Sequence, residues 1–310
     1  MRIGTGSRAR ARSAGVTLIE LAITIALVGI LAALIVNFVQ PVRSYIDSSR
    51  RAAVADAADT ALRRVGRDVR LALPNSVRVT TAGGVTYLEF LLLRTGGRYR
   101  YEAGTGTDCG GTPADDALSF SASDTCFTSI GDVPNSSAVT TNDYVVVFNL
   151  SPGTDKADAY QSTCGAACNK AQITTAPLAA GTGGHRVNFS GGNTFTYESP
   201  GRRFFIIEGP VTYACSPSAT PPFGTLRRYS GYAIQATQPS NTAATPLSTA
   251  PVTGLLASGV TSPCDITYDT NVATAGTGLL TMSLKLSMQD SRGDTENVVL
   301  YHTVHVNNLP

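Results

Sequence analysis

Apolar residues run almost unbroken from Val16 to Val39, and Glu20 is the single charge in that stretch. At ~1.5 Å of rise per residue the run predicts a helix of roughly 36 Å, long enough to cross a bilayer. An ionised carboxylate inside such a segment costs roughly 2.5–3.5 kcal/mol on insertion scales, so Glu20 demands a functional reason. Pro41 follows, and from Ser44 to Leu73 the composition stays helical while the pattern changes. Leu62, Val65, Val69 and Leu73 fall at i, i+3, i+7 and i+11, one face of a helix, and Arg63, Arg64, Arg67 and Arg70 line the other side with Asp59 and Asp68. This predicts an amphipathic half-helix with its apolar stripe on a globular domain and its charges in water. The alternative is an arginine face that docks anionic lipid headgroups or a partner. Pro41 predicts a kink, Gly29 a point of close helix approach, and Pro74-Asn75 the helix end.

From Ser76 the period shortens to that of strands. Val77–Thr80 alternates, Val85–Leu93 reads as partly buried on both faces, and Gly97–Tyr101 alternates again, with Gly96-Gly97 as a hairpin turn. Tyr144–Leu150, Arg186–Phe189, Thr194–Tyr197, Arg203–Glu208, Val211–Cys215 and Thr225–Tyr229 continue the series, Gly209-Pro210 turning the chain between two of them. Gly278–Ser287 and Glu296–Val306 close the chain around a turn at Asp290–Gly293. Residues 103–140 and 151–183 are long polar excursions, and 235–250 a surface loop. Loops of that length are unusual in a compact domain, so the first is either stapled or functional. One apolar helix face and one sheet face predict a two-layer α+β domain, the excursions forming a second small lobe.

Charge and cysteine usage narrow the setting. Lys and Arg number 24 against 22 Asp and Glu, but Arg2, Arg8, Arg10 and Arg12 precede the apolar run with no acid among them. Without those first 15 residues the balance is 20 against 22, or −2, so bulk charge gives no argument for a nucleic-acid surface. The arginines should stay on the cytoplasmic side of a membrane. All six cysteines, Cys109, Cys126, Cys164, Cys168, Cys215 and Cys264, lie beyond residue 100, as suits an exported, oxidised domain. Sequence allows about 15 connectivities. Neighbour proximity favours Cys109–Cys126, Cys164–Cys168 and Cys215–Cys264; a zinc site at Cys164 and Cys168 is the sharper alternative and lacks a nearby second pair.

Basic leader, Gly15, then Val16-Thr-Leu-Ile-Glu20-Leu at the head of the apolar helix: this pattern resembles the prepilin signature of the type IV pilin-like family. Common secretory signals are cut after the apolar core, whereas here the cut falls before it and the helix is retained. The resemblance implies cleavage after Gly15 by a prepilin peptidase, N-methylation of Val16 (many relatives have phenylalanine there), and a registration role for Glu20. A carboxylate four residues past a free amine can meet the amine of a neighbouring subunit, neutralising two charges that are each costly in a low dielectric. The implied organisation is a leader at 1–15, a transmembrane and filament-core helix at 16–40, its amphipathic half at 41–74, and a β-rich periplasmic or extracellular domain at 75–310. The stretch Arg63–Arg78, the run Phe204–Cys215 and the closing His302–Pro310 are similar to larger minor pilins of the mannose-sensitive haemagglutinin (MSHA) type. Implied partners are the prepilin peptidase, other major and minor pilins and the inner-membrane pilus assembly platform. The implied location is the bacterial inner membrane as a single-pass protein, then the pilus.

No Gly-x-Ser-x-Gly elbow, Walker loop, HExxH or CxxC occurs, and the histidines are His185, His302 and His305. His302 and His305, three apart in a strand, point to opposite faces. Asp290, Asp294 and Glu296 are a calcium candidate without an EF-hand spacing, and a solvated turn explains them. The expectation is a non-enzyme without cofactor or metal. A type II secretion pseudopilin, a tip adhesin gripping ligand through 103–140 and 151–183, and a signal-anchored periplasmic enzyme are the alternatives.

Overall fold

Thr17 starts the single α-helix: its Oγ1 accepts the backbone N–H of Glu20 at 3.3 Å, satisfying one of the open donors of the first turn. In the computed structural model, which describes residues 15–104, 115–161, 167–179, 184–270, 276–290 and 292–310, this helix (α1, Leu18–Arg70) runs 53 residues, roughly 80 Å at ~1.5 Å each. Side chains of 37–44, 192 and 193 are outside the description. Pro41 lies within α1 and does not divide it, although its missing N–H removes the bond to the carbonyl four residues back. Arg67 and Arg70 sit in the last turn, where the helix dipole favours cations. The N–H groups of Leu71 and Ala72 then close on Asp68 O and Val69 O at 3.0 Å.

The second half of α1 packs on an antiparallel sheet. In spatial order it contains β1 (Arg78–Ala82), β2 (Val85–Tyr99), β7 (Arg203–Ser216), β8 (Gly224–Ser230), β9 (Val252–Asp269), β10 (Thr277–Gln289) and β11 (Thr295–Asn307). Ala58, Ala61, Leu62, Val65 and Val69 meet Leu88, Phe90, Val211, Val260, Met282, Leu284 and Val304 in one buried core. The expected apolar stripe and its sheet partner are therefore both present, and the α+β architecture stands. Cys215 and Cys264 are bonded, tying the end of β7 to β9 past the shorter β8. Cys126 and Cys168 are also disulfide-bonded. Cys109 and Cys164, their expected partners, lie outside the described residues.

Four further strands, β3 (Asp124–Ile130), β4 (Tyr144–Val147), β5 (Lys170–Ala179) and β6 (His185–Asn193), close a ring with the far ends of β2 and β7. The circuit runs β2-β3-β6-β5-β4-β7 and back to β2, a small barrel. Tyr99, Phe127, Val145, Ile173, Val187, Phe189, Phe195, Phe204 and Ile206 fill it, with Phe127 edge-on to Phe204 at 4.9 Å between ring centroids. This is the second lobe the excursions were expected to form. The excursions are not merely loops, however: 103–140 contains β3 and 151–183 contains β5.

Several boundaries differ from the sequence pattern for identifiable reasons. Gly96-Gly97 is no turn, since β2 runs straight through it. A Cβ at Gly96 would lie 2.9 Å from Phe204 O, and one at Gly97 2.9 Å from the Phe204 ring, so these glycines admit a neighbour rather than reverse the chain. The hairpin glycines are Gly83 and Gly84 between β1 and β2, at φ +58° and +77°. Gly209-Pro210 is likewise inside β7. It falls at a bulge against Leu92 and Leu93, where β4 stops pairing at Ile207 and β8 begins at Val211. Thr194–Tyr197 is not a strand; Thr194 makes only an isolated bridge to Ala167. β9 has no counterpart in the pattern, its apolar residues being diluted by Gly254, Gly259 and Pro263.

Candidate functional site

Gly15 and Val16 are exposed and outside regular structure ahead of α1, and nothing lies within 4 Å of the space a Gly15 side chain would fill. Glu20 sits one turn inside the capped helix, exposed, where the helix dipole favours a carboxylate by about 0.3–1 kcal/mol. Among the described residues no cation pairs with it. From Leu18 to Val36, 19 residues, α1 is apolar enough to cross a membrane, and none of that window is buried in the fold. Leu18 alone is 87% exposed. An apolar rod with no core of its own needs another environment, lipid or neighbouring helices. An accessible Gly15–Val16 peptide, a capped helix start and an unpaired acid thus occupy one short segment.

At the other end, α1 is fixed to the domain by three devices. Asp68 Oδ2 accepts from the buried Tyr213 hydroxyl at 2.6 Å and from Arg228 Nε at 3.1 Å. Burial, then the bond to Asp68, pushes the Tyr213 phenol well above its ordinary range. Arg51 forks onto both oxygens of Glu296 at 2.7 and 3.1 Å. Gly66 lets helix and strand close together: a Cβ there would stand 2.8 Å from His302 Nε2 and 3.0 Å from Val304 Cγ2.

The candidate chemical residues do not assemble into a reactive centre. Asp290 Oδ1 accepts the N–H groups of Arg292 and Asp294 at 2.8 Å, a self-satisfied turn, and Glu296 is engaged by Arg51. Among the described residues no group of three or more His, Cys, Asp or Glu side chains is placed to hold a metal. His302 faces α1, His305 is exposed on the opposite face of β11, and His185 lies in the barrel wall with Nδ1 3.1 Å from the Val133 N–H. A cleft of about 460 Å³ opens at the seam beside Gly209-Pro210, lined by Arg94, Asp143, Tyr144, Glu208 and Tyr232. Arg94 is already paired there with Asp143 at 2.7 Å.

Glu89 and Lys170 are among the ionisable groups that escaped the sequence reading. Glu89, fully buried in β2, is held by Arg78 at 2.8 Å and the Tyr232 hydroxyl at 2.9 Å. Burial pushes its carboxyl up, and Arg78 with Tyr232 draws it back. A charge between Leu88 and Phe90 in an apolar run was the available signal. Lys170 Nζ donates to the carbonyls of Ala159 and Gln161, and burial pulls its pKa down to about 8 against a weaker opposing pull from Asp158.

Residues 10–36 match the family model described as the prokaryotic N-terminal methylation motif. The chain carries the prepilin motif. That match supports a type IV pilin-like or pseudopilin protein, processed by a prepilin peptidase and assembling with other pilins. It spans Gly15, Glu20 and the apolar half of α1, and within it Leu18–Val36 stands free of the fold. No match was found among curated proteins or solved structures.

Proposed function

We infer that this chain is a minor pilin, similar to the MshO protein of MSHA-type pili, and that it acts in pilus assembly at or near the filament tip. The observation that carries the reading is the motif segment: an apolar helix with no place in its own fold, headed by one unpaired acid four residues beyond an accessible Val16. Prepilin peptidase cleaves after Gly15 and the new amine of Val16 is methylated. α1 first anchors the protein in the inner membrane, with residues 75–310 outside, and then packs among the helices of other pilins. Glu20 pairs with the N-terminal amine of a neighbour and sets the axial register, since either charge alone is expensive in that environment. Asp68, Glu89 and Lys170 are occupied in structural contacts, which suits a subunit whose work is assembly.

Size supports the tip position. The six-strand ring adds a second core to the helix-backed sheet, and a repeating lattice has little room for such a head. The MshO likeness rests on Arg63–Arg78, Phe204–Cys215 and His302–Pro310. The test is N-terminal peptide sequencing of the native product together with Gly15→Ala. A mature chain beginning at methylated Val16, and an uncut Gly15→Ala chain, are expected; cleavage elsewhere refutes the reading. Deletion that abolishes secretion while leaving pili intact would move the protein to a type II secretion pseudopilus.

A further inference from the structure

The sheet that backs α1 has two edges, and only one is protected. β1 is covered by the 235–238 segment: Arg78 donates to the carbonyls of Gln235 and Ala236, and Gln238 bonds both Thr80 and the Arg78 carbonyl. β11 has none of the usual protections. It is 13 residues long, pairs with β10 at every position without a bulge, and contains no Lys, Arg or Pro. Its one charge, Glu296, is bound to Arg51. Among the described residues nothing pairs with the backbone groups that point away from β10. Val299 and Tyr301 are 39% and 74% exposed on one face, while Val298, Leu300 and His302 are only half-buried beneath α1.

Beside this edge, on the helix side, runs a groove lined by Thr60, Arg63, Arg64, Arg67, Arg70 and His302. Arg63 is paired with Asp59, but Arg64, Arg67 and Arg70 have no acidic partner among the described residues. A strand added at β11 would lie roughly 4.8 Å further out and place alternate side chains beneath that row. We propose that β11 and the arginine row together form a docking site for an acid-bearing β-strand of a neighbouring, non-identical filament subunit. Pairing of two copies through β11 would bring two arginine rows onto the same face, which like-charge repulsion disfavours. Anionic lipid is out of reach. Arg64 lies 28 residues beyond Val36, roughly 42 Å along α1 from the end of the apolar window.

The identity of the occupant as a filament subunit rests on the proposed function; the docking chemistry does not. The full chain in detergent micelles is therefore titrated with two synthetic 13-residue peptides, alternating Val-Glu and alternating Val-Lys, with hydrogen exchange read at β11. Expected are protection of β11 amides by the acidic peptide only, affinity that falls with salt, and at least a tenfold loss in the Arg64→Glu, Arg67→Glu, Arg70→Glu triple variant. These arginines are exposed, and an unchanged melting temperature of the variant shows that the fold is intact. Equal binding of both peptides, unprotected β11 amides, binding to anionic vesicles in place of the peptide, or self-association through β11 would overturn the proposal. Recovery of the protein in sheared filaments reads the parent function separately.

Discussion

Replacing Asp68 with alanine tests how α1 is held to its sheet. The carboxylate is shared by a neutral donor, the Tyr213 hydroxyl at 2.6 Å, and a charged one, Arg228 Nε at 3.1 Å. Its removal leaves a buried phenol without an acceptor, which costs about 1–3 kcal/mol. It also leaves a guanidinium with only Ser230 Oγ, at 2.7 Å, as a partner among the described residues. Breaking one side of a fully buried ion pair costs roughly 3–5 kcal/mol. Asp68 and Arg228 keep 17% and 14% of their side-chain exposure, so water offsets part of that and about 3 kcal/mol is expected. For a domain of this size that corresponds to a melting temperature lower by roughly 6–12 °C. Asp68→Asn keeps an acceptor and should lose only about 1 kcal/mol, the charge-assisted part. In a Tyr213→Phe background, Asp68→Ala should cost about 1 kcal/mol less than in the native chain, because the orphaned hydroxyl is gone. Thermal unfolding of the four chains in detergent, read as a double-mutant cycle, gives these numbers directly. A loss below about 0.5 kcal/mol for Asp68→Ala, or zero coupling to Tyr213, would refute the claim that this contact fastens helix to sheet.

Glu20→Ala should insert into membranes normally and be depleted from sheared filaments; recovery at the native level would remove the registration role. Cys215→Ala with Cys264→Ala opens a loop of 49 residues, for which chain entropy gives about 4 kcal/mol of lost stability, measurable by urea titration; a loss under about 1 kcal/mol would contradict it. Lys170 supplies a pH dependence: its folded pKa of about 8 lies below the ordinary 10.5, so between these values the unfolded chain holds the proton the folded one has shed, and stability rises with pH. Above pH 10 the trend reverses, because Tyr160, Tyr213 and Tyr232 are pushed up by burial and stay neutral while their unfolded counterparts ionise. Lys170→Met should abolish the rise and leave the fall, as melting temperatures across pH 7–11 would show.

What the sequence made legible follows the range of the interactions involved. The motif segment could be read because its signature is contiguous: residues 10–36 match the N-terminal methylation motif without any long-range contact. The stripe Leu62, Val65, Val69 was equally readable, since helical periodicity is local and its burial against the sheet is what that periodicity predicts. Glycine and proline misled wherever their reason was a distant neighbour. Gly96 and Gly97 make room for Phe204, more than a hundred residues away, and Gly209-Pro210 marks the seam where β7 exchanges β4 for β8. β5 was lost in a polar stretch because only Ala171, Ile173 and Pro177 of its residues are buried, while Leu178 faces outward. The arginine row was visible as one side of a helix, but its position beside an open strand edge depends on where β11 comes to lie.

The barrel begins where α1 ends. The Leu73 N–H donates to Leu91 O and the Leu93 N–H to Leu71 O, both at 2.8 Å, and β2 then continues through Thr95 to Tyr99 into the six-strand ring. β2 and β7 are thus common to both cores: Phe90 and Val211 lie under the helix, Tyr99 and Phe204 inside the barrel. Their shared strands make the head a continuation of the helix-backed sheet, held by continuous backbone pairing and not by a flexible linker. β11, running beside α1 from Arg51 to Gly66, forms the opposite flank of that sheet and remains open sideways. The barrel is thus built on one flank of the sheet, and the open edge on the other, beside the arginine row of α1, is where the proposed second subunit would dock.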